Sequence, residues 1–117
     1  ADALIVSNHG GRQLDGAPSS IAALPGIVQA VGKDIEVWMD GGIRSGQDVL
    51  KARALGARGT LIGRSFLYGL GAYGELGVTR VLEIIRKELD LTMAFCGRTD
   101  INQVDTSILL PGTYPTA

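Results

Sequence analysis

Three short apolar runs punctuate the first half of the chain: Ala3-Leu4-Ile5-Val6-Ser7, Ile35-Glu36-Val37-Trp38-Met39 and Thr60-Leu61-Ile62. Their nearly continuous apolar character, without strict alternation, predicts strands buried on both faces, as in parallel sheets covered by helices. Between the runs the apolar spacing becomes helical. Ile21, Leu24, Ile27, Val28 and Val31 share one side of a helix capped by Ser19 or Ser20 and stopped at Gly32. Pro25 lies inside it, which predicts a bend there or a start later than Ser20. Ser45 and Asp48 have capping-box spacing, with Asp in place of the usual Glu or Gln. They open a helix through Val49, Ala52 and Leu55 that ends at Gly56. After the third run, a short helical segment near Ser65 to Gly71 precedes a long amphipathic helix. On that helix Val78, Val81, Leu82, Ile85 and Leu89 form the apolar stripe, with Glu83, Arg86, Lys87 and Asp90 between them. The tail from Thr99 to Ala117, which holds Pro111 and Pro115, is expected to be irregular after a short turn.

Alternating strands and helices imply parallel strands joined by right-handed crossovers. A doubly wound open sheet and a (β/α)₈ barrel both satisfy that order. A barrel takes about 250 residues, so a chain of 117 would supply only part of one. Three strands alone also leave long unpaired edges. Together with the abrupt start at Ala1-Asp2-Ala3, this makes residues 1–117 read as one portion of a larger domain.

Composition narrows the partners. With 11 Lys+Arg against 12 Asp+Glu, the formal net charge is −1. That gives no electrostatic case for nucleic acid, which demands a clustered basic face. A hydrophobic content of 45% excludes a disordered chain. The single cysteine, Cys96, excludes an intramolecular disulfide and a multi-Cys zinc site. It fits a reducing, cytoplasmic setting. No apolar run reaches the ~18–20 residues of a membrane span, and no metal site is expected.

Glycine is in excess, 17 of 117 residues, and clustered after apolar runs. Asp40-Gly41-Gly42-Ile43-Arg44 follows the second strand, and Gly63-Arg64-Ser65 follows the third and leads into a helix. Consecutive glycines bare their N–H groups, a helix start adds partial positive charge, and each loop brings a guanidinium; this chemistry suits phosphate. The simpler reading is tight turns with solvated arginines. His9, the only histidine, closes the first strand in Ser7-Asn8-His9-Gly10-Gly11-Arg12-Gln13-Leu14-Asp15. An imidazole there can exchange a proton near neutral pH, and Arg12 can present a planar fork to a carboxylate. A turn histidine beside a surface arginine is the alternative.

This nine-residue stretch, with Asp40-Gly41-Gly42-Ile43-Arg44 and Gly63-Arg64 at their spacing, closely resembles the C-terminal part of the FMN-dependent α-hydroxy acid dehydrogenases and oxidases. The resemblance covers nearly the whole chain and fades over its last ten or so residues. It implies an α/β architecture: strands six to eight, with their helices, of a TIM barrel. It also implies that FMN is the cofactor and that the parent oxidises a lactate-like L-2-hydroxy acid to the 2-oxo acid. By the same resemblance His9 is the proton acceptor and Arg12 holds the substrate carboxylate. Ser7 and Asp40 touch the flavin, Asp40 through the ribityl hydroxyls. Gly42, Arg44, Gly63 and Arg64 bind the FMN phosphate, with Gly41 and Ile43 as backbone neighbours. Other groups of the family's active site, including a lysine near the flavin, tyrosines at the substrate and an aspartate orienting the histidine, belong to earlier strands. The isolated chain is therefore expected to be inactive, and the intact parent to be a homo-oligomer, cytoplasmic or peripheral at the inner membrane. The competing readings are a non-catalytic half-barrel that binds only FMN or phosphate, and a barrel isomerase with a similar phosphate site, which the His9–Arg12 pairing disfavours.

Overall fold

The computed structural model describes residues 1–115. Three parallel strands, β1 (Ala3–Val6), β2 (Glu36–Met39) and β3 (Gly59–Thr60), lie in the order β1-β2-β3. Helix α1 (Ser20–Val31) joins the first two, α2 (Gly46–Ala54) the second two, and α3 (Arg64–Phe95) follows. Short 3₁₀ turns occupy His9–Gly11, Ile101–Gln103 and Thr106–Ile108. Val6 pairs in register with Met39, and Met39 with Thr60, so all three strands end at one edge of the sheet. The ladder runs one residue further: the Asp40 N–H donates to the Val6 carbonyl (3.1 Å) and the Leu61 N–H to the Met39 carbonyl (2.9 Å). These bonds hold the starts of the three following loops side by side, about one strand spacing (~4.8 Å) apart.

The strands are shorter than their apolar runs, and they are not buried on both faces as expected. Val6, Val37 and Met39 are buried against Leu24 of α1 and against Ala52 and Leu55 beside α2. On the other face Ala3 and Glu36 are exposed, Ile5 is 53% exposed and Trp38 is half-buried. The helices cover one side only, so the apolar residues of the second side face outward. β3 is two residues long and, among the described residues, pairs only with β2.

Helix α1 starts at Ser20 and runs through Pro25 to the Gly32 cap, so the later start is not seen. Pro25 is itself buried in the helical interface with Leu24. Ser19 is the N-cap but its side chain makes no capping bond. The capping box of α2 forms with aspartate as expected. The Ser45 Oγ accepts the Asp48 N–H (3.3 Å), and Asp48 Oδ2 accepts the N–H groups of Ser45 (3.1 Å) and Arg44 (3.0 Å).

The expected pair of helices after β3 is present within α3, whose helical path is broken at Tyr73 (φ −144°) and Gly74 (φ 60°). The two arms double back on each other where the backbones of Gly69 and Gly77 touch. The long arm packs on α2: Gly46 lies against the backbone of Ile85 to Leu89, and its N–H donates to Glu88 Oε2 (2.9 Å). Within the apolar stripe Ile85 is buried and Val78, Val81 and Leu89 are half-buried, whereas Leu82 is 53% exposed because it lies off the α2 contact.

The tail is more ordered than expected. Its two 3₁₀ turns flank buried Val104, which joins Leu50 and Ala54 of α2 in a second small core. Residues 116 and 117 of this tail lie outside the described set. Asp105 caps the last turn by accepting the Ser107 N–H and hydroxyl, and these bonds hold its pKa below the usual carboxylate value of 3.8, with Arg98 nearby adding to the effect. A lowered folded-state pKa contributes stability above the unfolded value, and that contribution is lost as pH falls through the folded one. Protection of the Ser107 amide, taken relative to an unstructured amide at the same pH, should therefore fall as pH drops below the ordinary carboxylate value of 3.8, and an Asp105→Asn variant should lack this acid step.

Candidate functional site at the strand ends

Each of the three loops at the common edge contributes differently. After β1, the Ser7 Oγ accepts the His9 N–H (3.1 Å) and Asn8 Oδ1 accepts the Gly10 N–H (3.1 Å). Asn8 Nδ2 donates to the Pro18 carbonyl (3.3 Å), tying this loop to the entrance of α1. His9, Gly10 and Gly11 are successive left-handed residues, with φ of 53°, 69° and 70°. The two glycines adopt that conformation without penalty, while for His9 it carries strain on the order of 1 kcal/mol. His9 and Arg12 are both exposed at the loop's outer surface.

After β2, Asp40 is half-buried, and its Oδ1 is buried without any hydrogen-bond partner. Gly41 (φ 89°) and Gly42 (φ 76°) turn the chain in conformations that side-chain-bearing residues rarely adopt. Ile43 is buried and anchors the loop, and Arg44 is exposed. After β3, Gly63 caps α3 with open space around its Cα, and Arg64 is the first residue of that helix. The Ser65 hydroxyl donates to the Ile43 carbonyl (3.3 Å), joining the second loop to the third.

A cavity of about 300 Å³ opens between these loops. Of the residues expected at the site, Gly41, Gly42, Ile43 and Arg64 line it, together with Asn8 and Gly10 of the first loop. Ser7, His9, Arg12, Asp40, Arg44 and Gly63 belong to the same edge but not to the wall of this cavity. The polar wall residues that the sequence did not mark as part of a site include Asn8, Ser20 and Lys51. For Asn8 a signal existed, an Asn two residues before a glycine, which is the pattern of a side chain bonding its own backbone ahead. Ser20 entered only as a choice of helix cap, and Lys51 reads as an ordinary polar position of α2.

The groups with perturbed acidity stand elsewhere. Burial, reinforced by neighbouring Arg58, pushes the Arg53 guanidinium pKa down. Arg53 donates to the carbonyls of Ala57 (2.7 Å), Arg58 (2.9 Å) and Ile101 (3.1 Å), a structural clamp at the far end of α2. Among the described residues, no three His, Cys, Asp or Glu side chains cluster as metal ligands would. No described helix is long and apolar enough to cross a membrane.

A glycine-rich, arginine-bearing edge at the carboxyl ends of parallel strands has the chemistry that suits a phosphate group in an α/β protein. Residues 1–111 match the family model described as FMN-dependent dehydrogenase, and the chain belongs to that family. It is 56% identical over 110 residues to the L-lactate dehydrogenase of Pseudomonas syringae pv. syringae (strain B728a), covering 94% of this chain and 29% of that protein. It is 51% identical over 116 residues to the pre-mycofactocin synthase of Mycolicibacterium smegmatis (strain ATCC 700084 / mc(2)155), covering 98% of this chain and 29% of that one. Among solved structures, a soluble mutant of the membrane-associated (S)-mandelate dehydrogenase from Pseudomonas putida superposes with a TM-score of 0.87 at 45% identity. That match covers 92% of this chain and 30% of the mandelate dehydrogenase chain. The chain thus spans under a third of the length of these relatives.

The family cofactor suits the residues present. FMN offers a phosphate dianion and a polyhydroxyl chain. The bare surfaces of Gly42 and Gly63 leave room for close approach, Arg44 and Arg64 supply positive charge, and the unpartnered Asp40 Oδ1 is an acceptor for a hydroxyl.

Proposed function

We propose that this chain forms the sixth to eighth strand–helix units of a (β/α)₈ barrel, and that the whole protein uses FMN to oxidise an L-2-hydroxy acid such as lactate to the 2-oxo acid. The observation that supports it best is the strand-end cavity, where Gly41, Gly42, Ile43 and Arg64 converge beside the orphaned Asp40 oxygen. The open second face of the sheet supports the barrel reading. Ile5 and Trp38 face outward here, and a closed barrel would cover them with the inward side chains of the remaining strands.

In this reading Gly42, Arg44, Gly63 and Arg64 hold the FMN phosphate, with Gly41 and Ile43 shaping the turn, and Ser7 and Asp40 contact the flavin itself. When bound, FMN supplies an acceptor for the two electrons that leave the carbinol carbon. Arg12 clamps the substrate carboxylate and so fixes which carbon faces the flavin. His9 takes the proton from the substrate hydroxyl. His9 is exposed and does not line the phosphate cavity, which supports a role toward the substrate rather than the phosphate. Choice among lactate, glycolate and mandelate rests with residues of the other barrel units, and the isolated chain is inactive for want of them. We place the protein in the cytoplasm or at the membrane surface.

The full-length protein should be yellow when purified with FMN, and its colour should bleach under L-lactate or another 2-hydroxy acid. A protein that stays colourless with FMN supplied would overturn the assignment. Arg64→Ala should weaken FMN about ten- to a hundred-fold, the worth of a hydrogen bond to a charged group, while the apparent affinity for the organic acid stays the same. The reverse pattern would remove Arg64 from the phosphate site.

A further inference from the structure

The flavin reading leaves part of the strand-end cavity unused. Its wall also includes Ser20 at the start of α1 and Lys51 from α2, and neither matches the loop motifs. Helix α1 is twelve residues long, and its Ser19 cap makes no side-chain bond. The Ala22 and Ala23 N–H groups return to the Ser19 carbonyl, so those of Ser20 and Ile21, as at any helix start, have no acceptor within the helix. Ser20 is only 4% exposed, yet its Oγ has no hydrogen-bond partner. It is directed at the bare edge of Gly41, another wall residue, 3.1 Å from where a Cβ would sit. A buried hydroxyl without a partner is unfavourable, and native structures rarely leave one unpaired. Among the described residues no carboxylate forms an ion pair with Lys51. The single carboxylate on the cavity wall, Asp48, is engaged through Oδ2 with the N–H groups of Arg44 and Ser45 and with the Ser45 hydroxyl.

We propose that the N-terminus of α1, the Ser20 hydroxyl and the Lys51 ammonium form an oxyanion subsite that takes a phosphate group. Three features recommend this ligand. A helix start favours an anion and supplies N–H donors, the free hydroxyl supplies one more, and the ammonium supplies charge without fixing a planar geometry, as a tetrahedral oxyanion allows. A cavity of about 300 Å³ admits the end of a larger phosphorylated molecule as readily as inorganic phosphate. The subsite rests on the flavin reading only for the origin of its phosphate. It is either the tail of FMN, reaching further toward α1 than the glycine loops alone imply, or a second, free phosphate.

The test uses the full-length protein carrying this chain, stripped of flavin, with Lys51→Gln, Lys51→Arg and Ser20→Ala variants. Inorganic phosphate is titrated by calorimetry, and FMN and riboflavin by flavin fluorescence. Lys51→Gln should weaken phosphate binding about ten-fold or more, Ser20→Ala less, and Lys51→Arg should restore most of the affinity. If the phosphate is that of the flavin, FMN weakens by the same factor and riboflavin does not. If it is a free phosphate, FMN affinity is unchanged while phosphate affinity falls. Phosphate and FMN binding that are both indifferent to Lys51 and Ser20 would overturn the subsite and leave the flavin reading standing. Lys51-dependent phosphate binding in a protein that takes up no FMN would do the opposite.

Discussion

Replacing His9 with asparagine in the full-length protein is expected to leave FMN bound while the rate of flavin reduction by an L-2-hydroxy acid falls about 10²- to 10⁴-fold, the usual contribution of a positioned general base. The choice of asparagine matters. His9 sits at φ 53°, a left-handed conformation that asparagine tolerates better than most side chains. The Ser7 bond is to the His9 backbone N–H and survives the substitution. The variant therefore removes the ionisable ring while keeping the loop, and Gly10 keeps its bond to Asn8. His9 is outside the wall of the phosphate cavity, so colour and FMN affinity should not follow the loss of rate. Stopped-flow absorbance of the flavin under saturating substrate separates the two quantities. Undiminished reduction would remove the base assignment, and loss of flavin would show that His9 itself holds the cofactor rather than the substrate.

What the sequence makes legible here depends on how local the cause is. The Ser45–Asp48 box, the Gly32 and Gly56 stops and the break between the arms of α3 are written into adjacent residues, and they appear where expected. The loop residues Gly41, Gly42, Ile43 and Arg64 converge because strand order and register follow from the repeated strand–helix pattern. Burial of the strands was less readable. An apolar run specifies that both faces want cover, not that the cover is supplied within the same stretch of chain, and Ile5 is left open. Leu82 misleads for a related reason: helical spacing defines a stripe about three residues wide, and only contact with α2 decides which edge is used. Ser20 and Lys51 reach the cavity through the packing of α1 and α2 over the sheet, and no spacing in the sequence records that convergence. The later start offered as one outcome of Pro25 shows the converse, since α1 begins at Ser20 and runs through the buried proline to Val31.

The second large effect is on the fold, and it turns on two glycines that do not need a special backbone conformation. At Gly77 an added Cβ would fall well inside contact distance of the Gly69 carbonyl oxygen and 2.6 Å from its carbon. At Gly69 the same atom would meet the Gly77 oxygen at 2.5 Å and the Val81 side chain at 2.8 Å. These neighbours are mostly backbone, which cannot rotate aside as a side-chain end can. Gly77→Ala in the full-length protein should therefore destabilise it by about 3 kcal/mol, the upper range of overpacking, measured as a lowered urea midpoint at unchanged slope. Gly71→Ala is the internal control. It lies on the same short arm with nothing within 4 Å of its would-be Cβ, and should stabilise by about 0.5–1 kcal/mol through helix propensity alone. Because the short arm starts at Gly63 and Arg64, forcing the arms apart also displaces the third loop of the site. Gly77→Ala should then lose FMN affinity along with stability, whereas Gly71→Ala should keep the parent's affinity. Equal stability of Gly77→Ala and the parent would show that the arms are not packed at this crossing, and with that the means by which α3 fixes Arg64 would fail.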